Sequence, residues 1–414
     1  MTASLFATLF ITALLLSTSI KIWLALRQLR HVAAHRNKVP DAFSAQVDLA
    51  AHQKAADYTC TKTRMGIITA LFETALLLAF TLAGGLQFLS EWSVSTFTNP
   101  LLQGMALIGS VLLISSILET PFGLYSTFVI EARFGFNKMT FGLYLQDTLK
   151  GLLLGSILGL PLLLGVLWLM GRMGDGWWLY VWAVWVTFSL LLLFIYPSFI
   201  APLFNKFQPL EDESLKARIE ALLTKCGFTA QGLFVMDGSK RSSHGNAYFT
   251  GFGKTKRIVF FDTLISRLSA DEIDAVLAHE LGHFKRRHVL KRIALTFAIS
   301  LGFLWLLAQL MQADWFYTGL GVNTPSTAMA LLLFFMVLPA FTFLLQPLSS
   351  AYSRKHEFEA DAYAALQTSS ADLVTALVKL YQDNAATLTP DPLYSTFYSS
   401  HPPATIRISR LQTL

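Results

Sequence analysis

His279, Glu280 and His283 stand in the run His-Glu-Leu-Gly-His, two imidazoles four residues apart with a carboxylate beside the first. On a helix those imidazoles share a face, so both can hold one zinc ion while the glutamate reaches the water completing the metal's shell. The pattern implies metal-assisted hydrolysis of a peptide bond with Glu280 as general base. A catalytic zinc needs a third protein ligand. The longer pattern HExxHxxGxxH would supply a third histidine, but Arg286 and Val289 occupy its last two specified positions, which excludes it. A glutamate on a second helix is the other common source. The segment 354–363 offers Glu357, with Asp361 four residues on and on the same helical face. Glu357 is therefore the expected third ligand. Asp361 is expected to accept the second ring N–H of His279, fixing its tautomer and basicity. His288 falls off the ligand face of a continuous helix and reads as an interfacial histidine among Lys285, Arg286 and Arg287.

The elements that carry these residues are also legible. Ser269 and Glu272 make a capping box, and Ile273, Val276 and Leu277 follow at helical spacing, so the motif sits on a capped helix. Asp271, Glu272 and Asp274 precede the motif and Lys285, Arg286 and Arg287 follow it. Such charge places the metal near an interface and sets aside the intramembrane proteases whose HExxH lies within an apolar span.

Around this helix the chain is 54% hydrophobic and only 14% charged over 414 residues, the composition of an integral membrane protein. Seven segments are long and apolar enough to cross a bilayer: 5–26, 66–89, 101–118, 152–170, 178–200, 293–311 and 327–348. Lys21 is the visible charge within them, near enough to a helix end to snorkel. Residues 1–10 have no basic segment ahead of their apolar stretch, so a retained helix is expected rather than a cleaved signal. The net charge of +6 comes from Lys and Arg beside hydrophobic segments, not from a basic stripe with interleaved aromatics, so no nucleic-acid partner is expected. Cys60 and Cys226 are too few for a disulfide framework or a cysteine zinc site.

Arg27, Arg30, Arg36, Lys38, Lys54, Lys62 and Arg64 crowd the first inter-span loop, which the positive-inside rule makes cytoplasmic. Counting onward puts the N-terminus outside and both large polar regions, 201–292 and 349–414, on the cytoplasmic side. Two spans separate those regions, an even number, so both can bind one metal. The expected organisation is residues 1–200 for spans one to five, 201–292 for the region with the motif helix, 293–348 for spans six and seven, and 349–414 for the part that completes the zinc site. No internal repeat appears, against a transporter of paired broken helices.

Residues 121–138, the stretch 237–262 around Gly238-Ser239-Lys240-Arg241-Ser242-Ser243-His244-Gly245-Asn246-Ala247-Tyr248, the HELGH run, the 357–361 helix and Ser400-His401-Pro402-Pro403 together resemble the CAAX prenyl protease 1 family, seven-span zinc metalloproteases. These blocks run through most of the chain in family order. The resemblance implies a mainly α fold in which seven tilted transmembrane helices enclose a water-filled chamber, capped by a zincin-type domain with a small β edge element. It implies that Asn246, Ala247 and Tyr248 belong to an edge strand that pairs with the substrate backbone, and that His401 donates a hydrogen bond to the developing oxyanion, with Asn246 assisting. Without it, the Asn246 stretch reads as a loop leading into a strand near 257–262. Arg407 and Arg410 are left to pair with site carboxylates or to meet lipid phosphates.

The expected function is that of an integral membrane zinc metalloendopeptidase with one zinc per chain, surrounded by lipid and cutting near the C-terminus of prenylated CAAX-type proteins. The alternatives are a membrane-protein quality-control protease with no prenyl requirement, or a non-enzymatic transporter with a vestigial zinc site. The run Ser409-Arg410-Leu411-Gln412-Thr413-Leu414 holds no dilysine signal, which favours a bacterial inner membrane over the endoplasmic reticulum.

Overall fold

Inside a bilayer the backbone has only itself to hydrogen-bond, which makes each long apolar run a helix. The computed structural model describes residues 1–229, 232–250 and 257–414. Among these, seven helical rods are long and apolar enough to span a membrane. Counting helices of seven residues or more, the first part holds α1 (Ala3–Ala34), α2 (Leu49–Phe80), α3 (Gly85–Thr96), α4 (Pro100–Tyr125), α5 (Phe141–Arg172) and α6 (Trp177–Ile195). α4 runs on through a π-helical turn, Ser126–Glu131, and α6 through another, Tyr196–Ile200. The second part holds α7 (Glu213–Cys226), α8 (Ala270–Lys285), α9 (His288–Leu310), α10 (Thr327–Thr342), α11 (Gln346–Gln367), α12 (Ser370–Asp383), α13 (Pro392–Tyr398) and α14 (Ala404–Leu411).

The second span ends nine residues earlier than the hydropathy of 66–89 suggests. Gly84 turns the chain with φ of 84°, and a Cβ on Gly85 would lie 2.7 Å from the Ala79 carbonyl oxygen, so glycine is needed to fold α3 back on α2. A second charge also lies within the spans beside Lys21: Glu73, in α2, is exposed, as is Glu119 in α4. An ionised carboxylate at membrane depth must face water. α5 and α6 bury only 6% of their most apolar window, whereas the α10 rod buries 50%. α10 is thus the packed spine, with Met329, Ala330 and Leu333 fully buried, and α5 and α6 behave as walls open on both sides.

The polar part folds around its own core of Ile219, Ile258, Phe260, Leu277, Ala278 and Leu373. Its four-stranded sheet has the order β1 (Phe207–Pro209), β2 (Gly232–Met236), β4 (Arg257–Phe261), β3 (Ala247–Thr250). β3 is an edge strand, antiparallel to β4 with Tyr248 opposite Val259. The two blocks 121–138 and 237–262 touch each other: Asn137 bridges Ser242, Phe136 stacks on the His244 ring at 4.5 Å, and Arg241 forms a bidentate pair with Asp147 of α5. That docking ties the sheet edge to the membrane rods.

Both site helices are extensions of spans. α8 joins α9 through a two-residue turn, and α10, a single 3-10 turn and α11 form one continuous rod, Thr327–Gln367. Ser269 caps α8 by accepting from Glu272 N while the Glu272 carboxylate accepts from Ser269 N, the reciprocal box expected from sequence. Glu272 also takes Lys379 of α12 at 2.7 Å, so the cap anchors α8 to its neighbour.

Candidate metal centre

α8 and α11 cross closely at Gly282. A Cβ there would stand 2.9 Å from Ala360 Cα and 3.0 Å from its carbonyl oxygen, so only glycine lets the helices approach this far. Gly282→Ala is expected to force α11 away, costing about 1–3 kcal/mol and loosening metal retention. A thermal midpoint and metal content both equal to wild type would contradict this.

The approach brings together the donors that spacing singled out. His279 Nε2 and His283 Nε2 lie 3.2 Å apart. Each stands 3.5 Å from a Glu357 oxygen, Oε2 for His279 and Oε1 for His283. Glu357 is buried, and its Oε2 has no hydrogen-bond partner among the described residues. A buried carboxylate that turns one oxygen toward each of two imidazole nitrogens without hydrogen-bonding them is costly unless a cation sits between them. The donor set of two nitrogens and one carboxylate therefore fits a divalent ion, with zinc the natural match. Asp361, 1% exposed, lies 2.8 Å from His279 Nδ1.

Electrostatics follow from burial. Burial and Arg407 oppose protonation of His279, but its contacts with Asp361 and Glu357 outweigh them and raise its pKa above the ordinary imidazole value, making it a more basic ligand. Burial, with the neighbouring His279 ring, pushes His283 down to about 3, so its ring is neutral at physiological pH. Burial, aided by the Glu357 carboxylate, lifts Glu280 above the usual carboxylate range.

Glu280 and Glu357 line two adjoining cavities. One, about 370 Å³, is walled by Asn246, Ala247, Tyr381, Asn384, His401 and Arg407. The other, about 590 Å³, is walled by Trp185, Leu190 and Leu193 of α6 and by Ile293 and Phe297 of α9, with Tyr248 and His401 at its rim. His401 Nε2 stands 3.5 Å from Glu357 Oε2, with its side chain 62% exposed to the cleft. Asn246 precedes β3, and its Oδ1 accepts from Ala247 N.

One residue departs from its sequence reading, and an open alternative closes. His288 is not interfacial: it is 2% exposed, with Nδ1 3.0 Å from His283 Nδ1 and Nε2 2.9 Å from Glu359 Oε2. The reading assumed one continuous helix, but Arg287 adopts a left-handed φ of 56° and swings the next residue back behind His283. Arg407 resolves toward the carboxylates. Its Nε and Nη2 bind the two Asp361 oxygens at 2.7 and 2.6 Å, while Arg410 instead stacks over Phe358. The signal was present: Arg407 shares the buried stripe of α14 with Ala404, Ile408 and Leu411, where an arginine must be paired.

A membrane body of seven spans whose sixth and seventh rods carry an HExxH pair and a carboxylate into one buried cluster defines an integral membrane metalloendopeptidase. Residues 28–206 match the family model described as CAAX prenyl protease N-terminal, five membrane helices, and 209–414 match Peptidase family M48, whose members use a metal. Curated relatives include the CAAX prenyl protease 1 homolog of Arabidopsis thaliana, 41% identical over 75% of this chain and 73% of the relative. Saccharomyces cerevisiae CAAX prenyl protease 1 is 33% identical over 95% and 92%, and the Homo sapiens homolog 31% over 98% and 96%. The crystal structure of S. mikatae Ste24p superposes with a TM-score of 0.92 at 32% identity, covering 98% of this chain and 99% of that one. The chain belongs to the CAAX prenyl protease 1 family of M48 peptidases.

Proposed function

We propose that the chain hydrolyses peptide bonds near the C-terminus of prenylated CAAX-type proteins, with one zinc ion held by His279, His283 and Glu357. The observation that carries this is the pair of cavities meeting at Glu280. One is bordered by the edge strand at Ala247 and suits a peptide backbone; the other reaches between the membrane helices α6 and α9, where Trp185, Leu190, Leu193, Ile293 and Phe297 offer apolar surface to a lipid chain. The names of the relatives point to the same substrate class.

Zinc, when bound, makes water more acidic and polarises the scissile carbonyl. Glu280, with its raised proton affinity, takes the proton of the attacking water and passes it to the leaving amine. The edge of β3 at Ala247 and Tyr248, with Asn246 just ahead of it, pairs with the substrate backbone, a mode that reads main chain rather than side chains. His401 donates to the developing oxyanion and Asn246 assists. The division at residues 200, 292 and 348 serves this assembly, with the site helices growing out of spans six and seven. The site faces the cytoplasm and the N-terminus lies outside, on the charge of the first inter-span loop. The expectation of a bacterial inner membrane draws no support from the relatives, which are eukaryotic. The rods enclose a water-filled chamber surrounded by lipid, a reading supported by the low burial of α5 and α6 and the exposed carboxylates Glu73 and Glu119.

A farnesylated CAAX peptide and its unprenylated twin test the reading in detergent. Since burying each CH₂ contributes about 0.8 kcal/mol, a prenyl chain seated against the apolar residues of α6 and α9 should raise kcat/KM at least about tenfold. Equal cleavage of both would replace the prenyl reading with general membrane-protein turnover. Cleavage of neither would return the non-enzymatic alternative.

A further inference from the structure

Behind the metal-facing edge of His283 runs a second line of hydrogen bonds. Its Nδ1 lies 3.0 Å from His288 Nδ1, and His288 Nε2 lies 2.9 Å from Glu359 Oε2. An ionised carboxylate only accepts, so His288 carries its proton on Nε2 and donates it to Glu359. The His288 Nδ1 is then a bare lone pair. The proton between the two Nδ1 atoms must therefore belong to His283, which leaves His283 Nε2 unprotonated and directed at His279 Nε2 and Glu357 Oε1. At His279 the carboxylate contact is direct: Nδ1 lies 2.8 Å from Asp361 Oδ1, with Arg407 Nη2 3.1 Å from the same nitrogen.

We propose that Glu359 and His288 are positioning residues that hold His283 in its Nε2-ligating tautomer, doing through an intervening imidazole what Asp361 does directly for His279. This rests on the metal site proposed above. Two features hold the relay in place. The His288 ring stacks on His356 at 3.9 Å and 8°, and His356 packs in turn against Tyr352 at 4.2 Å. The left-handed turn at Arg287 delivers the ring to its place without distorting α8. His279 and His283 thus each present one nitrogen to the metal and anchor the other in a carboxylate, Asp361 and Glu359 respectively, both borne by α11.

The test is zinc retention by the purified holoprotein across a graded chelator series, together with melting of the metal-free forms. His288→Phe keeps the stack on His356 but removes both nitrogens, and should lose zinc at 10- to 100-fold lower chelator. Glu359→Gln keeps the shape but no longer dictates the His288 tautomer, since an amide both donates and accepts, and should shift retention several-fold in the same direction. His288→Asn restores an acceptor for His283 Nδ1 and should recover part of the loss. With these shifts, metal-free melting temperatures should stay at wild type. Wild-type zinc retention by His288→Phe would overturn the relay, as would a fall in metal-free melting large enough to account for its zinc loss. His283→Ala separates the two levels of the argument: if it keeps zinc, the metal site itself is wrong; if it loses zinc while His288→Phe does not, only the relay is wrong.

Discussion

Replacing Glu280 with glutamine should leave zinc bound and lower turnover by on the order of a hundredfold or more. The side chain sits where the two cavities meet, with no hydrogen bond from the described residues reaching its carboxylate, and burial favours its protonated form. A group that must accept a proton and return it needs that freedom. Glutamine keeps the volume and cannot take the proton, so binding and metal content should persist while the chemical step fails. Peptide cleavage with parallel metal analysis checks this. Unchanged cleavage, or a variant that has lost its zinc, would each remove Glu280 from the role of base.

Arg407→Met should be the most destabilising single change near the site. Arg407 is 5% exposed, forks onto both Asp361 oxygens, and has Nη1 3.8 Å from Glu357 Oε2. Methionine retains much of the apolar stem but leaves the buried Asp361 carboxylate without its paired cation. Breaking such a pair from one side costs about 3–5 kcal/mol, because the remaining charge stays desolvated. Arg407→Lys should fall between, since an ammonium cannot make the bidentate fork. Thermal midpoints in detergent give the order wild type, Lys, Met. A methionine variant as stable as wild type would mean that the pair contributes nothing net to the fold.

Much of this arrangement was legible in the residues because it is local. The capping box at Ser269, the spacing of His279 and His283, and the separation of Glu357 from Asp361 are each properties of one helix, and helices keep their faces. The seven spans followed from apolar length alone, for the bilayer offers no other conformation. What escaped depends on where a helix stops or what lies across from it. Periodicity cannot show the left-handed residue at Arg287 that relocates His288, and an apolar run that continues past Gly84 conceals the turn that ends the second span. The partners of Arg407 lie on a helix more than forty residues away, so its burial could be suspected from the stripe of α14 but its target could not. Without the resemblance β3 reads as a loop, because four residues with one described neighbour strand carry little pattern of their own.

The most direct measurement is a zinc titration of chelator-stripped wild-type protein and of Glu357→Ala, following bound metal and peptide cleavage together. The site predicts that wild-type activity returns in step with binding and saturates at one zinc per chain, while Glu357→Ala neither holds zinc at the same free concentration nor recovers activity. Cleavage that persists in the stripped protein, or a Glu357→Ala variant that binds zinc and cleaves like wild type, would contradict the account.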